Sequence, residues 1–286
     1  MCQLLAMNCN VPTDICFSFT GFRKRGGETD IHRDGWGIGF FEGKGARLFL
    51  DPQPSAHSPV AELVRTYPIR SLNVVAHIRK ATRGMVSLEN THPFIRELWG
   101  RYWIFAHNGH LPGFLPPLDG SVTPVGDTDS ERIFCWMLQS LRQQFGHQAP
   151  PPAALFTALR DLTLEFAGLG ISNYLLSNGD IMVAHCSTHL SYIIRQAPFR
   201  EAHLADEAVT VDFSLLTTSN DRVAVIATLP LTDNEAWVGM LPGTLWMFHD
   251  GDVVAQADTI ASPVASMEEA EGMEAPQPPA PGTSNW

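Results

Sequence analysis

The chain opens MCQLLAM, residues 1–7, and the role of a cysteine directly behind the initiator methionine decides how the rest is read. The stretch is apolar but short. It has no basic n-region and no small-residue cleavage site, so a targeting role is not expected. A small second residue normally lets the initiator methionine be trimmed, which would leave Cys2 carrying a free α-amine. A nucleophile and a base would then share one residue. The competing reading is an ordinary core cysteine at the start of a first strand, since cysteine is among the most buried residue types. The remaining sequence has to choose between the two.

At 286 residues, 44% of them hydrophobic, the chain has room for one large domain or two small ones around a substantial core. No apolar run approaches the roughly 18 residues that a membrane span needs. The 30 acidic against 19 basic residues give a net charge of −11, which repels nucleic acid and acidic lipid surfaces, so neither is expected as a partner. Five cysteines, Cys2, Cys9, Cys16, Cys135 and Cys186, form an odd set with no C-x-x-C pair. That speaks against a disulfide framework or a thiolate zinc site and makes the cytoplasm the expected compartment.

Residues 2–8 read as a strand, and Pro12-Thr13-Asp14 opens a helix toward Arg25, stopped by Gly26-Gly27. DGWGIGFFEGKGARLFL predicts a hairpin turning at Gly43-Lys44-Gly45, and Ser58 to Arg65 a short helix with Pro59 at its first position. Two apolar strands follow, SLNVVAHIR and YWIFAHNG, separated by a polar loop holding His92-Pro93. Apolar residues recur at helical spacing from Thr128 to Phe145, with Thr128 and Glu131 as a capping box. A second helix is expected over Ala153 to Phe166. Strand pairs then dominate: NYLLSNGDIMVAHC and GTLWMFHDGDVVAQ each carry a turn signal, and RVAVIATLPL adds another strand. Past Ile260 the composition turns to Pro and Glu, and residues 261–286 are expected to be a disordered tail. Strands, two central helices and strands again indicate an α+β arrangement, without choosing among those available.

Four segments stand out for their chemistry: MCQLL, HIRKATRG (77–84), AHNGHL (106–111) and GDTDSE (126–131). In this order, behind a cysteine at position 2, they resemble the class II glutamine amidotransferases, which use an N-terminal cysteine nucleophile. The similarity is to the stand-alone YafJ-like branch, akin to the γ-glutamyl amidohydrolases of thiol metabolism. It covers residues 2–260 and implies one amidotransferase domain with the N-terminal-nucleophile hydrolase fold, an αββα four-layer sandwich.

Residue by residue, the resemblance makes Cys2 the nucleophile and its own α-amine the base. An α-amine titrates at about 7.7–8.0 and a free thiol near about 8.5, so neither needs a catalytic histidine. Asn108 and Gly109 match the family's oxyanion pair, against the plain reading of Asn-Gly as a β-turn. Arg79 matches the clamp on the substrate's α-carboxylate, and Asp129 the acceptor of its α-ammonium, while a first-turn aspartate also suits a helix N-terminus. His92 and Thr82 are carried over to the substrate pocket in the same way. HRDGWGIGF resembles the family's strand beside the nucleophile, with Asp34, Gly35 and Gly37 in register. Two departures stand out: Ile31-His32-Arg33 where synthase-feeding members carry an Arg-Gly pair, and Lys80 and Arg83 where they carry Trp and His or Asn. The two cations are either solvated surface charges or receptors for a further carboxylate on the substrate.

The expectation is therefore an enzyme acting on a small molecule: hydrolysis of a γ-glutamyl amide through a thioester at Cys2, with no metal or organic cofactor. The alternatives are a glutaminase subunit passing ammonia to a separate synthase, and a catalytically silent binding module. A metal site of His77, His107 and His110 is a further reading, disfavoured because strand residues three apart face opposite sides. The sequence leaves open homo-oligomerisation, the leaving amine and any ammonia-accepting partner.

Overall fold

A two-residue period written along the central strands places the layers of this molecule. The computed structural model describes residues 2–81 and 85–259. In chain order its elements are β1 (Gln3–Thr13), α1 (Cys16–Lys24), β2 (Trp36–Glu42), β3 (Gly45–Asp51), α2 (Pro59–Thr66), β4 (Ser71–Ile78), β5 (Phe94–Leu98), β6 (Arg101–His110), α3 (Asp129–Phe145) and α4 (Pro152–Ala167). There follow β7 (Ile171–Ser177), β8 (Met182–Cys186), β9 (Ser191–Gln196), β10 (Glu201–His203), β11 (Thr210–Asp212), β12 (Arg222–Ala227), β13 (Val238–Gly239), β14 (Thr244–His249) and β15 (Asp252–Asp258). A seven-stranded sheet runs β13-β9-β12-β1-β4-β2-β3, and a six-stranded sheet runs β15-β14-β8-β7-β6-β5. β10 and β11 form a separate ribbon.

On β1, Leu5 and Met7 pack with Phe19 and Phe22 of α1 and with Ala61 and Val64 of α2. Leu4 and Ala6 point the other way, to Ile104 and Ala106 of β6, Leu175 of β7 and Ala184 of β8. On β6, Trp103 and Phe105 face Phe134 and Leu138 of α3 and Leu159 and Phe166 of α4. Successive strand residues point to opposite faces, so each sheet buries one face on its helices and the other on its fellow sheet. The result is the expected four layers, helix, sheet, sheet, helix. A one-residue slip of β1 or β6 would exchange the two faces.

The helix expected over 128–145 is α3, and Thr128 Oγ1 accepts the Glu131 N–H at 3.2 Å. The return arm of the capping box is not made. The Glu131 carboxylate, buried, turns instead to the Arg96 guanidinium and to the Gly126 N–H at 2.7 Å, because a buried carboxylate requires a cation and donors. The three anticipated hairpins are β2–β3, β7–β8 and β14–β15. β5 lies within the stretch read as loop, and β9, β10, β11 and β13 were not anticipated. β2 is not beside the strand that carries Cys2: it pairs with β4, and β4 pairs with β1. The expected tail over 261–286 lies outside the described residues. Among the described residues no helix is long and apolar enough to cross a membrane.

Candidate active site

Strand register brings the first groups together. Gln3 stands opposite Ile78 in the antiparallel β1–β4 pair, so Arg79 and Lys80 run on past β4 alongside Cys2. The Lys80 N–H donates to Cys2 Sγ at 3.2 Å, and Sγ lies 3.5 Å from the Lys80 carbonyl. The segment is held from β2's side. The Arg79 N–H donates to the Gly35 carbonyl at 2.8 Å, the Asp34 N–H to the Arg79 carbonyl at 3.1 Å, and the Ala81 N–H to Asp34 Oδ2 at 2.7 Å.

The other sheet contributes the end of β6. Cys2 N donates to Asn108 Oδ1 at 2.8 Å, and Asn108 Nδ2 donates to the Cys2 carbonyl at 2.7 Å, a reciprocal pair that ties the two sheets together at this end. Asn108 is buried, and Nδ2 carries a second hydrogen beyond the one given to Cys2. A Cβ on Gly109 would sit 1.9 Å from the Ile171 carbonyl oxygen and 2.6 Å from His107 Nε2, so only glycine fits there. Burial pushes the Cys2 thiol up from its ordinary value, while the Lys80 N–H and the Arg79 guanidinium pull it back in part.

Cys2 and Gly109 open onto a cavity of about 380 Å³ whose walls include Arg79, Lys80, Asp129 and Arg132. Arg79 is 4% exposed and donates from Nη1 to the Met85 carbonyl at 2.9 Å. Asp129, the first residue of α3, accepts the Leu111 N–H at 3.1 Å and the Ser130 N–H at 2.9 Å, with His110 Nδ1 at 3.1 Å. Burial works to raise its carboxyl pKa, but His107, the Leu111 N–H, His110 and the Ser130 N–H outweigh it and hold the value below the usual carboxylate range.

Three buried histidines line the same cavity. His107 Nδ1 meets Ser130 Oγ at 2.8 Å. The His92 ring lies 4.4 Å from both His77 and Phe94, and neither of its nitrogens has a hydrogen-bond partner among the described residues. Burial, with neighbouring positive charge, lowers His77 to about 3 and His92 well below its ordinary value, and burial lowers His107 to about 4. All three are neutral at pH 7.

Of the residues singled out from sequence, Cys2, Arg79, His92, Gly109 and Asp129 line the cavity, and Asn108 borders it through Cys2. Thr82 and Arg83 lie outside the described residues. His77 and His107 line the cavity with His110, but among the described residues no group of three or more His, Cys, Asp or Glu side chains is placed to hold a metal ion. Sequence reasoning missed Ser130 and the Asp34–Ala81 tie. It also missed the Lys80 N–H, which no side-chain pattern announces.

Residues 1–271 match the family of class-II glutamine amidotransferases. The chain is 55% identical over 254 residues to the Escherichia coli (strain K12) protein named "Putative glutamine amidotransferase YafJ", a match covering 89% of this chain and 100% of that one. A shorter match, 34% identical over 102 residues, covers 34% of this chain and 36% of the γ-glutamyl-hercynylcysteine sulfoxide hydrolase of Mycobacterium tuberculosis (strain ATCC 25618 / H37Rv). The crystal structure of a "predicted glutamine amidotransferase" from Pseudomonas aeruginosa PA01 superposes with a TM-score of 0.71 at 44% identity, over 88% of this chain and 99% of that one. The glutamine phosphoribosylpyrophosphate amidotransferase of B. subtilis is similar in fold alone, at a TM-score of 0.54 and 13% identity, over 90% of this chain and 49% of that one.

Proposed function

This chain belongs to the class II glutamine amidotransferases, a family of enzymes with the N-terminal-nucleophile fold, and on that premise we propose that it hydrolyses γ-glutamyl amides through a thioester on Cys2. The observation that carries the reading is the reciprocal pairing of Cys2 with Asn108, with the thiol under the Lys80 N–H at the edge of a cavity that also holds Arg79 and Asp129. We take residues 2–260 as the catalytic unit.

With Met1 removed, Cys2 N is an amine that lies within hydrogen-bond reach of Asn108 Oδ1. As the Cys2 sulfur attacks the γ-carbonyl carbon, the amine takes the thiol proton, a transfer suited to a base of pKa about 7.7–8.0. The negative charge that develops on the carbonyl oxygen meets the second hydrogen of Asn108 Nδ2 and the Gly109 N–H. The C–N bond then breaks, the amine leaves with the proton, and the γ-glutamyl group stays on sulfur as a thioester. Water, deprotonated by the same α-amine, attacks the thioester and releases glutamate with the free thiol. Arg79 would pair with the substrate's α-carboxylate and Asp129 with its α-ammonium, with His92 in the wall of the same pocket. The route uses no metal or organic cofactor.

A glutaminase half-reaction that hands ammonia to a separate synthase is the second reading of the same site. The partial match to a γ-glutamyl hydrolase favours release to water. The test is a panel of γ-glutamyl peptides, γ-glutamyl amides and glutamine, assayed for released glutamate with protein whose N-terminal residue is verified as Cys2. At least one γ-glutamyl peptide or amide is expected to exceed glutamine in kcat/KM, with Cys2→Ala inactive on all. Glutamine as the best substrate, accelerated by a co-purifying synthase, would contradict the hydrolase reading.

A further inference from the structure

The cavity does not treat its charges evenly. Arg79 and Asp129 make one cation and one anion, which matches the zwitterionic end of a γ-glutamyl group. Asp127 is occupied by Asn90, whose Nδ2 donates to Asp127 Oδ1 at 2.8 Å. The Arg132 guanidinium donates to the Pro116 carbonyl, at 3.2 Å from Nε and 3.0 Å from Nη2, which fixes its place and leaves its charge in the cavity wall. The three histidines carry no charge at neutral pH. The lining therefore holds three cations, Arg79, Lys80 and Arg132, against two carboxylates, Asp127 and Asp129, and among the cations Lys80 is the one beside the sulfur, with no carboxylate within 4 Å of its ammonium among the described residues.

Its position gives the surplus a meaning. The backbone N–H of Lys80 touches Cys2 Sγ, so its side chain starts beside the bond to be broken. A lysine ammonium on a flexible stem is a point charge that seeks an anion. Glutamine offers none on its leaving side, because ammonia departs alone. An amino acid or peptide leaving through its amine brings a carboxylate to within a few bonds of the scissile nitrogen.

Resting on the hydrolase reading above, we propose that Lys80 receives a carboxylate carried by the leaving amine, which makes γ-glutamyl amino acids and short γ-glutamyl peptides the preferred substrates. Lys80 is then a specificity-determining residue whose backbone holds the sulfur and whose side chain selects the leaving group.

The test compares γ-glutamylglycine with γ-glutamylglycinamide, two compounds of nearly the same shape that differ in the charge on the leaving group. The readout is the ratio of their kcat/KM values, which does not depend on how much of a variant is folded. The wild-type ratio is expected to favour the acid by on the order of tenfold or more, as for a charge pair partly shielded from water. Lys80→Arg should keep the preference, Lys80→Ala should bring the ratio close to one, and Lys80→Glu should invert it. A wild-type ratio near one, or a ratio unmoved in Lys80→Ala and Lys80→Glu, overturns the proposal. Hydrolysis of neither compound by wild-type protein with Cys2 at its N-terminus removes the hydrolase reading, and the role of Lys80 falls with it.

Discussion

Along β6, Ile104 and Ala106 lie in the apolar layer between the sheets, whereas His107 and Asn108, the next residues on, are buried among polar groups at the strand's end. β4 repeats the change, from Val75 in the inner layer to His77 and Arg79 at its far end. β1 runs it in reverse, from Cys2 to Leu4. Between these ends Leu4, Ala6, Val75, Ile104 and Ala106 form an apolar inner layer whose backbone groups are consumed by the ladders. At the ends the ladder runs out, and buried polar atoms must find side-chain partners or remain unpaired, as in His92. One register therefore sets both the stability of the inner layer and the convergence of the cavity.

The sharpest way to break this contrast is to damage one region and leave the other whole. Asn108→Ala should cut kcat by about 10²–10³ with little change in KM, because in the proposed mechanism its donor acts on charge that develops in the transition state. Steady-state kinetics on the best γ-glutamyl substrate checks this, and a wild-type kcat would reduce Asn108 to a tie between sheets.

Acid should distinguish the two regions next. His77, His92 and His107 have folded-state pKa values below the ordinary 6.5, so the unfolded chain binds more protons as pH falls. Their contribution to stability is complete above about pH 6.5 and is lost as pH drops below it, for His77 down to about 3 and for His107 down to about 4, each histidine adding a slope of up to about 1.4 kcal/mol per pH unit. Urea denaturation at pH 7 and pH 5 should show this slope, and His92→Phe should make it shallower by one proton. An unchanged slope in that variant would mean that His92 is not buried as the neutral form.

Ile104→Val carries the smallest effect and the opposite signature. It should cost about 0.5–1.5 kcal/mol of unfolding free energy, with kcat/KM of the folded enzyme unaltered. Lost activity at full stability would show that the inner layer is coupled to the site more tightly than the shared register requires.

The parts of the molecule that could be read from its residues are those with a local signature. The β2–β3, β7–β8 and β14–β15 hairpins announce themselves by glycine-containing turns between apolar runs, and α3 by its spacing and its Thr128 cap. β5 carries Arg96 and Glu97 at a sheet edge, and β13 spans only Val238–Gly239, so neither shows an alternation long enough to read. In the site, Cys2, Arg79, Asn108, Gly109 and Asp129 were legible through the company of their motifs. The Lys80 N–H, the Asp34–Ala81 tie and the pairing of Ser130 with His107 were not, because backbone donors look alike in every sequence and these partners come from different segments. The isolation of the His92 ring depends on packing against His77 and Phe94 that no spacing rule supplies.

The central claim is that the amine of Cys2 is the catalytic base, and it is tested most directly by one protein assayed in two states. A fusion with a protease-removable N-terminal tag, cut so that Cys2 becomes residue one, is assayed for glutamate release before and after cleavage, with intact mass confirming each terminus. The account predicts no turnover while Cys2 N is part of a peptide bond, because an amide nitrogen does not accept a proton near neutral pH, and full turnover once the amine is free. Equal activity in both states would remove the amine of Cys2 from the mechanism and contradict the account.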